Sequence, residues 1–542
     1  MKKQSLIKGS IILGAAGIIA KFLGLFFRWP LIMLIGDEGI GYYQLSYPLY
    51  MFFVAMASGV PVAMSKMISE KNAVGDIQGT YEVVKESTYL MLLLGIGTSF
   101  ILFFFANPII SFLKWDIKSY YALIGISFAP IVVSIMTIFR GFFQGLQNMT
   151  PSGVSQILEQ VGRVIIGVGL AFILLPKGIE FSAGGAAFGA AAGGTIASIY
   201  LYIKYRKVKK DMNIKKIRTN TEILNQILKM AIPISIGATV GTVMSLIDAI
   251  LVPQKLIESG VADATALYGQ LTGKASVLVN IPLTLSMALC TSLIPIIAEN
   301  YVLGKKVELQ SKTNLAMKLS VVIAFPCTVG LFCLAGPIMK LLFFKAYDGY
   351  EILKYLSLSI PFIIITQTTT SILQGTNHYI RPVINLFMGC VVKVILTILL
   401  VPIPEVNIFG AVIASVVAYV TVTILNISSL KTKIKTKLEV YDSIIKPLFA
   451  SLIMGVAVSM IYVFLIERTN NNSISCLLSV FVGIIIYIIA ILVFRVFNIS
   501  EIKNRVVRKW FIRRVLYDKN SRVRAWCTRS INYWSSKNFR RK

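Results

Sequence analysis

The fold class this sequence predicts is an all-α polytopic membrane protein of about fourteen transmembrane helices. Three observations predict it. Charged residues make up only 14% of the 542 residues and hydrophobic ones 56%, whereas a soluble globular chain is about 25% charged. Apolar blocks of about twenty or more residues recur along the whole chain. Each is long enough to cross ~30 Å of hydrocarbon as a helix, the form that satisfies every backbone N–H and C=O without water. No long polar stretch separates the blocks, so no soluble domain is expected, and the mean hydropathy of +0.76 agrees.

The blocks place spans at roughly 8–35, 41–65, 87–107, 119–143, 151–175, 184–204, 226–252, 267–298, 314–336, 351–373, 383–402, 408–429, 445–466 and 475–497. The first follows a basic start and loosely resembles a signal sequence. Its apolar run is too long for one, Lys21 interrupts it, and no small-x-small cleavage site follows.

Lysine and arginine give the orientation. Bases cluster after the sixth span (Lys204 to Arg218), after the twelfth (Lys431, Lys433, Lys435, Lys437) and after Ser500, where fourteen occur. All fall on the side of Lys2 and Lys3, whereas Asp37, Glu38, Asp263 and Glu405 fall on the other. The positive-inside rule makes both termini cytoplasmic in a cell membrane. The net charge of +30 therefore points to anionic lipid, met by the basic tail with Trp510, Trp526 and Trp534, and not to nucleic acid. Six cysteines without CxxC spacing, five of them in apolar runs, read as thiols and not as a metal site or disulfide framework.

An internal repeat organises the chain. Tyr42, Gln44 and Leu45 recur as Tyr268, Gln270 and Leu271, and Val60-Pro61 as Ile294-Pro295. Phe143-Gln144-Gly145 recurs as Leu373-Gln374-Gly375, and Phe188-Gly189-Ala190 as Phe409-Gly410-Ala411. The order is kept at offsets of 226, 234, 230 and 221. Two pseudo-symmetric six-helix lobes are expected, 1–206 and 226–430, joined by a basic linker, 207–225. A helix pair, 431–498, and a basic tail, 499–542, follow. Parallel repeats of this kind bind substrate between the lobes, near the bilayer midplane.

The first span carries Gly14, Gly17, Lys21, Gly24 and Arg28 at spacings of 3, 4, 3 and 4, one stripe of a helix. A cation costs about 2.5–3.5 kcal/mol at the bilayer centre. A stripe that faces a cavity explains both the small residues and the charges. The alternative is that Arg28 reaches the outer surface and Lys21 pairs with a carboxylate. In the fifth span Thr150 and Pro151 suit a helix start, and Glu159 and Arg163 are an i, i+4 pair that either braces the lobe or meets substrate. In the seventh, Asp248 lies among hydroxyls and suits a sodium or proton site, or sits in water at the helix end. Lys274 and Lys393 are further embedded cations. Arg140 is expected near headgroups. No HExxH, GxSxG or P-loop occurs, so no enzyme and no cofactor is expected.

The stretches FRGFFQGLQNMTPSGVSQILEQVGRV (139–164), GDEGIGYYQLSYPLY (36–50) and YGQLTGKASVLVNIPLTLSMALCTSLIPIIAE (268–299) resemble the stage V sporulation protein B and lipid II flippase branch of the MOP exporter superfamily. The resemblance extends to about residue 497. It implies two six-helix lobes plus a helix pair, alternating access, and an undecaprenyl-diphosphate-linked saccharide as substrate. Lys21, Arg28 and Lys274 match cavity cations in type and place, and Asp248, with Asn385 as its partner, matches an acidic sodium site. Arg28 is followed by Trp29, so the Arg–Asp pair that some bacterial flippases carry is absent.

The substrate-contacting candidates are Lys21, Arg28, Lys274, Glu159, Arg163 and Lys393; the coupling-ion candidates are Asp248 and Asn385. The rivals are a cation-coupled multidrug exporter, which would favour an acidic cavity, a membrane glycosyltransferase, which would need catalytic acids on a larger outer loop, and a scaffold of the wall or sporulation machinery.

Overall fold

A computed structural model describes residues 6–210, 220–344, 346–434 and 441–496. The terminal lysines Lys2 and Lys3, the bases Lys215, Lys216, Arg218, Lys435 and Lys437, and the basic tail lie outside these ranges. The described residues form helices and no strand.

In order these are α1 (Leu6–Ala57), α2 (Gly59–Ala73), α3 (Ile77–Phe104), α4 (Ala106–Leu113), α5 (Tyr120–Ser127), α6 (Ala129–Gly145), α7 (Met149–Gly162), α8 (Val168–Leu174), α9 (Ile179–Lys210) and α10 (Thr221–Glu258). Then come α11 (Ala264–Gly269), α12 (Ser276–Val302), α13 (Lys306–Cys333), α14 (Ala335–Phe343), α15 (Tyr350–Leu356), α16 (Ile360–Gly375), α17 (Ile380–Leu400), α18 (Ile408–Ser429), α19 (Lys446–Thr469) and α20 (Asn472–Val493). Two π-turns, Arg163–Gly167 and Gln270–Ala275, continue α7 and α11. By length and apolarity twelve described stretches can cross a membrane. The first, Ile12–Ala73, takes in the first expected span from Ile12 onward and the whole of the second. The eighth expected span lies in α11 and α12, outside the twelve, so this measure does not reach the expected fourteen.

The expected loop between the first two spans is absent. Gly36 takes φ 63°, ψ −166°, which kinks α1, and the helix resumes at once. A left-handed φ is open to glycine without steric cost. Asp37 and Glu38 consequently sit on helix and not in a free loop, and the Tyr42 hydroxyl donates to the Glu38 carboxylate.

Small residues bring the first nine helices together. Between Ala183 and Gly194, α9 consists of glycine and alanine except for Phe188. A Cβ on Gly193 would lie 2.2 Å from the Glu159 carbonyl of α7, and one on Gly125 of α5 2.2 Å from that of Gly184. Without water to drive association in lipid, such close backbone approach supplies the packing energy. The later helices pack as α12 on α13 and α16, α10 and α18 on α17, and α19 on α20 and α13. The two sets meet where α1 packs on α10 and α11, and α2 on α10.

Asp76 caps α3 beyond the end of the first stretch. Its carboxylate accepts from the Gly79 amide at 2.7 Å and from Lys71 Nζ at 3.0 Å. The Gly79 amide first, and then Lys71, hold its pKa below the usual 3.8. A lowered folded value means stability that is present above the unfolded pKa and lost as pH falls through the folded one. Asp76→Ala should cost about 1 kcal/mol at neutral pH. Melting curves of the two proteins in detergent should converge on acidification below pH ~4; a gap that persists there excludes the carboxylate as its source.

Candidate functional site

The stripe on α1 faces inward. Gly17 and Gly24 lie opposite the side chains of Gln156 and Gln160 on α7, and Lys21, Gly24 and Arg28 line a cavity of about 750 Å³. Its other walls are the second half of α1 (Tyr43, Tyr47, Met51), the α7 end (Gln160, Arg163), α12 (Val277 to Leu285) and Gln367 of α16. The site therefore lies where the two helix sets meet.

Among the described residues three cations line it and no carboxylate does. Lys21 Nζ donates to Thr284 Oγ1 of α12 at 3.1 Å, and Arg28 Nη1 to the Thr272 carbonyl at 3.3 Å. Both bridge from α1 to the second helix set. Arg163 opens a π-turn, a local widening frequent at functional sites. It is buried, its Nη1 lies 3.5 Å from the Tyr47 hydroxyl, and its guanidinium stands 5.9 Å from the Tyr47 ring centre. The Arg163 Nε is buried without a hydrogen-bond partner among the described residues.

Glu159 sits behind this wall. Its Oε2 accepts from Arg140 Nη2 at 2.9 Å, and its Oε1 lies 4.0 Å from Arg163 Nη2. Arg140 also donates to Ser155 Oγ at 2.8 Å, so it is tied into the protein and is not the headgroup contact expected of it. One acid between two guanidiniums leaves a net positive charge. The helix carrying Glu159 starts at Met149 with Asn148 as N-cap, not at the expected Thr150 cap.

The other expected cations stand apart from the cavity wall. Lys274 is wholly buried in the Gln270–Ala275 π-turn. It pairs with the Asp37 carboxylate and donates to the carbonyls of Ala346 at 2.7 Å and Asp348 at 3.3 Å. Gln270 Nε2 donates to the other Asp37 oxygen at 2.8 Å. Lys393 donates to Asp248 Oδ2 at 2.7 Å and to the Met244 carbonyl at 3.1 Å. Asn385, expected beside Asp248, instead donates to Asn426 Oδ1 at 2.8 Å and Ser429 Oγ at 3.2 Å. Among the described residues no group of three or more His, Cys, Asp or Glu could hold a metal.

Sequence reasoning missed the polar lining beside the cations: Tyr43, Tyr47, Asn280, Thr284 and Gln367. The i, i+4 spacing of Tyr43 and Tyr47, whose rings stack at 5.7 Å, was the available signal.

Comparison with known proteins places the chain. The family model described as polysaccharide biosynthesis protein matches residues 6–301, and the MatE model residues 271–399. Stage V sporulation protein B of Bacillus subtilis (strain 168) is 28% identical over 514 residues, covering 93% of this chain and 98% of that protein. Lipid II flippase MurJ of the same organism is 28% identical over 488 residues, covering 84% and 88%. A solved structure of lipid II flippase MurJ in an inward closed conformation shares the fold at TM-score 0.70 and 17% identity, over 90% of this chain and 99% of that one. With the first model matched over more than half of its length, this multi-pass membrane chain belongs to the polysaccharide biosynthesis protein family.

Proposed function

We propose that the chain is a flippase for a polyprenyl-diphosphate-linked saccharide, of the undecaprenyl class met in cell-wall or spore-cortex synthesis. The observation that carries this reading is the cavity with Lys21, Arg28 and Arg163 on its wall and no acid among its described lining residues. A diphosphate bears concentrated negative charge and meets such cations through charge-assisted hydrogen bonds. The relative named lipid II flippase agrees in substrate class. A volume of about 750 Å³ lies within the ~300–1,000 Å³ of small-ligand sites and suits a headgroup whose lipid tail stays in the bilayer.

In this mechanism the diphosphate displaces Thr284 from Lys21 and the Thr272 carbonyl from Arg28. Both contacts join the two helix sets, so substrate binding loosens that junction and favours rocking of one six-helix lobe (1–206) against the other (226–430). Membrane potential acts on Lys21 and Arg28, which pair with no carboxylate among the described residues, about 2.3 kcal/mol per charge per 100 mV. Both termini lie in the cytoplasm, and the basic tail rests on anionic lipid. Glu159 acts indirectly, by holding Arg163 and Arg140. Lys274 and Lys393 brace helices.

The test is transport by purified protein in liposomes. A fluorescent diphosphate-linked saccharide lipid should become accessible to an impermeant quencher from the opposite leaflet, and an organic cationic dye should not move. Dye movement without lipid movement would establish the multidrug reading. A cavity free of carboxylates speaks against that outcome, because cationic drugs need a negative counterpart.

A further inference from the structure

Two helix positions recur in both halves of the chain with different charge. The 230-residue offset that relates Phe143-Gln144-Gly145 to Leu373-Gln374-Gly375 also relates Arg163 to Lys393. Lys21 and Asp248 are 227 residues apart, beside the 226 that separates Tyr42 from Tyr268. The helices concerned pack as matching pairs, α1 on α7 and α10 on α17. In the first half both positions are cationic, and both line the cavity. In the second half one is a carboxylate, and the pair closes on itself.

The sodium site that the family resemblance implies at Asp248 does not fit the residues present. Lys393 Nζ stands 2.7 Å from Oδ2, where a bound cation would sit. It is 2% exposed and held a second time by the Met244 carbonyl. Asn385, the expected second ligand, is engaged with Asn426 and Ser429. Around the pair lies an apolar cluster of Met244, Ile247, Cys390, Ala418 and Val422. An isolated carboxylate there would be costly, and an ammonium on a flexible stem offsets the cost in the way a bound ion otherwise does.

We propose that Lys393 is a tethered counter-ion that fills the cation position at Asp248, so that this chain's conformational cycle runs without sodium. The proposal deepens the transporter reading above and rests on it. Asp248 Oδ1 is buried with no hydrogen-bond partner among the described residues. Removing the ammonium therefore leaves both carboxylate oxygens open to a free cation.

The test needs no lipid substrate. The full chain, purified in detergent, is melted in sodium, potassium and choline chloride at equal ionic strength. A cation that binds only the folded state raises the melting temperature with its concentration. Wild type should melt at one temperature in all three salts, and so should Lys393→Arg. Lys393→Met should gain a saturable, sodium-dependent rise of several degrees, abolished by adding Asp248→Asn. A saturable sodium response in wild type overturns the proposal. So does a folded Lys393→Met protein that is indifferent to sodium. If Lys393→Met does not fold, Lys393→Gln takes its place, and the wild-type comparison decides alone if neither folds. Failure of the flippase reading appears separately, as liposomes in which no lipid moves.

Discussion

Lys21→Ala and Arg28→Ala each slow the movement of a diphosphate-linked lipid by roughly ten- to hundred-fold, while the protein stays folded and inserted. The size follows from chemistry. A hydrogen bond to a charged group contributes about 1.5–3 kcal/mol, and each 1.4 kcal/mol is about tenfold in an equilibrium constant. Lys21 is exposed to the cavity, and its one described bond runs to a threonine hydroxyl, so its loss leaves no buried charge behind. The melting temperature of Lys21→Ala should accordingly stay near that of wild type. Lys21→Arg keeps the charge and should keep most of the rate. Arg28→Lys should recover less, because the ammonium lacks the planar fork that grips two phosphate oxygens at once. Initial rates of quencher accessibility in liposomes, normalised to inserted protein, measure all four. Wild-type rates in both alanine variants would remove the cationic cavity from the mechanism.

Lys274→Met has the opposite profile, with a large loss of stability. Three acceptors lose their donor at once: the Asp37 carboxylate and the carbonyls of Ala346 and Asp348. Breaking a buried pair by removing one partner costs about 3–5 kcal/mol, because the remaining charge is left without compensation. Asp37 and Lys274 also join α1 to the π-turn after α11, the region where the two helix sets meet. The glycines beside them show how close that junction is: a Cβ on Gly41 would lie 2.2 Å from the Thr265 carbonyl, and one on Gly269 2.2 Å from that of Asp37. The double variant Asp37→Asn, Lys274→Met should recover a large part of the lost stability, since it leaves no unpaired charge. Thermal melting of the single and double variants in detergent measures the cycle. If Lys274→Met melts as wild type but fails to move lipid, Lys274 acts on substrate and not as a brace.

The two lysines show how far the sequence reached. Lys21 and Lys274 look alike in the sequence, each a lone cation in an apolar span. The stripe spacing of Gly14, Gly17, Lys21, Gly24 and Arg28 separated them in part, because it fixes one helix face and small residues on that face leave room beside it. That face lines the cavity. Nothing comparable surrounds Lys274, and its partner Asp37 fell in the gap between the first two expected spans, on the side poor in bases. The kink at Gly36 keeps Asp37 on the helix instead. Arg140 was misread for a similar reason, since its distance from Glu159 along the chain hides their contact.

The sequence by itself determined the solvent and the secondary structure. Hydrocarbon admits helices of a minimum apolar length, so composition and block length were sufficient for the all-helical membrane class, and helical periodicity for the face on which Lys21 and Arg28 lie. The tertiary structure alone decided which charges are free and which are spent. Periodicity orients a side chain about its own axis but does not say which helix packs against it. Asp37 meets Lys274, and Asp248 meets Lys393, from separate spans far apart along the chain. Only the packing of α1 on α11 and of α10 on α17 turns those four residues into two neutral pairs and leaves Lys21, Arg28 and Arg163 to face the cavity.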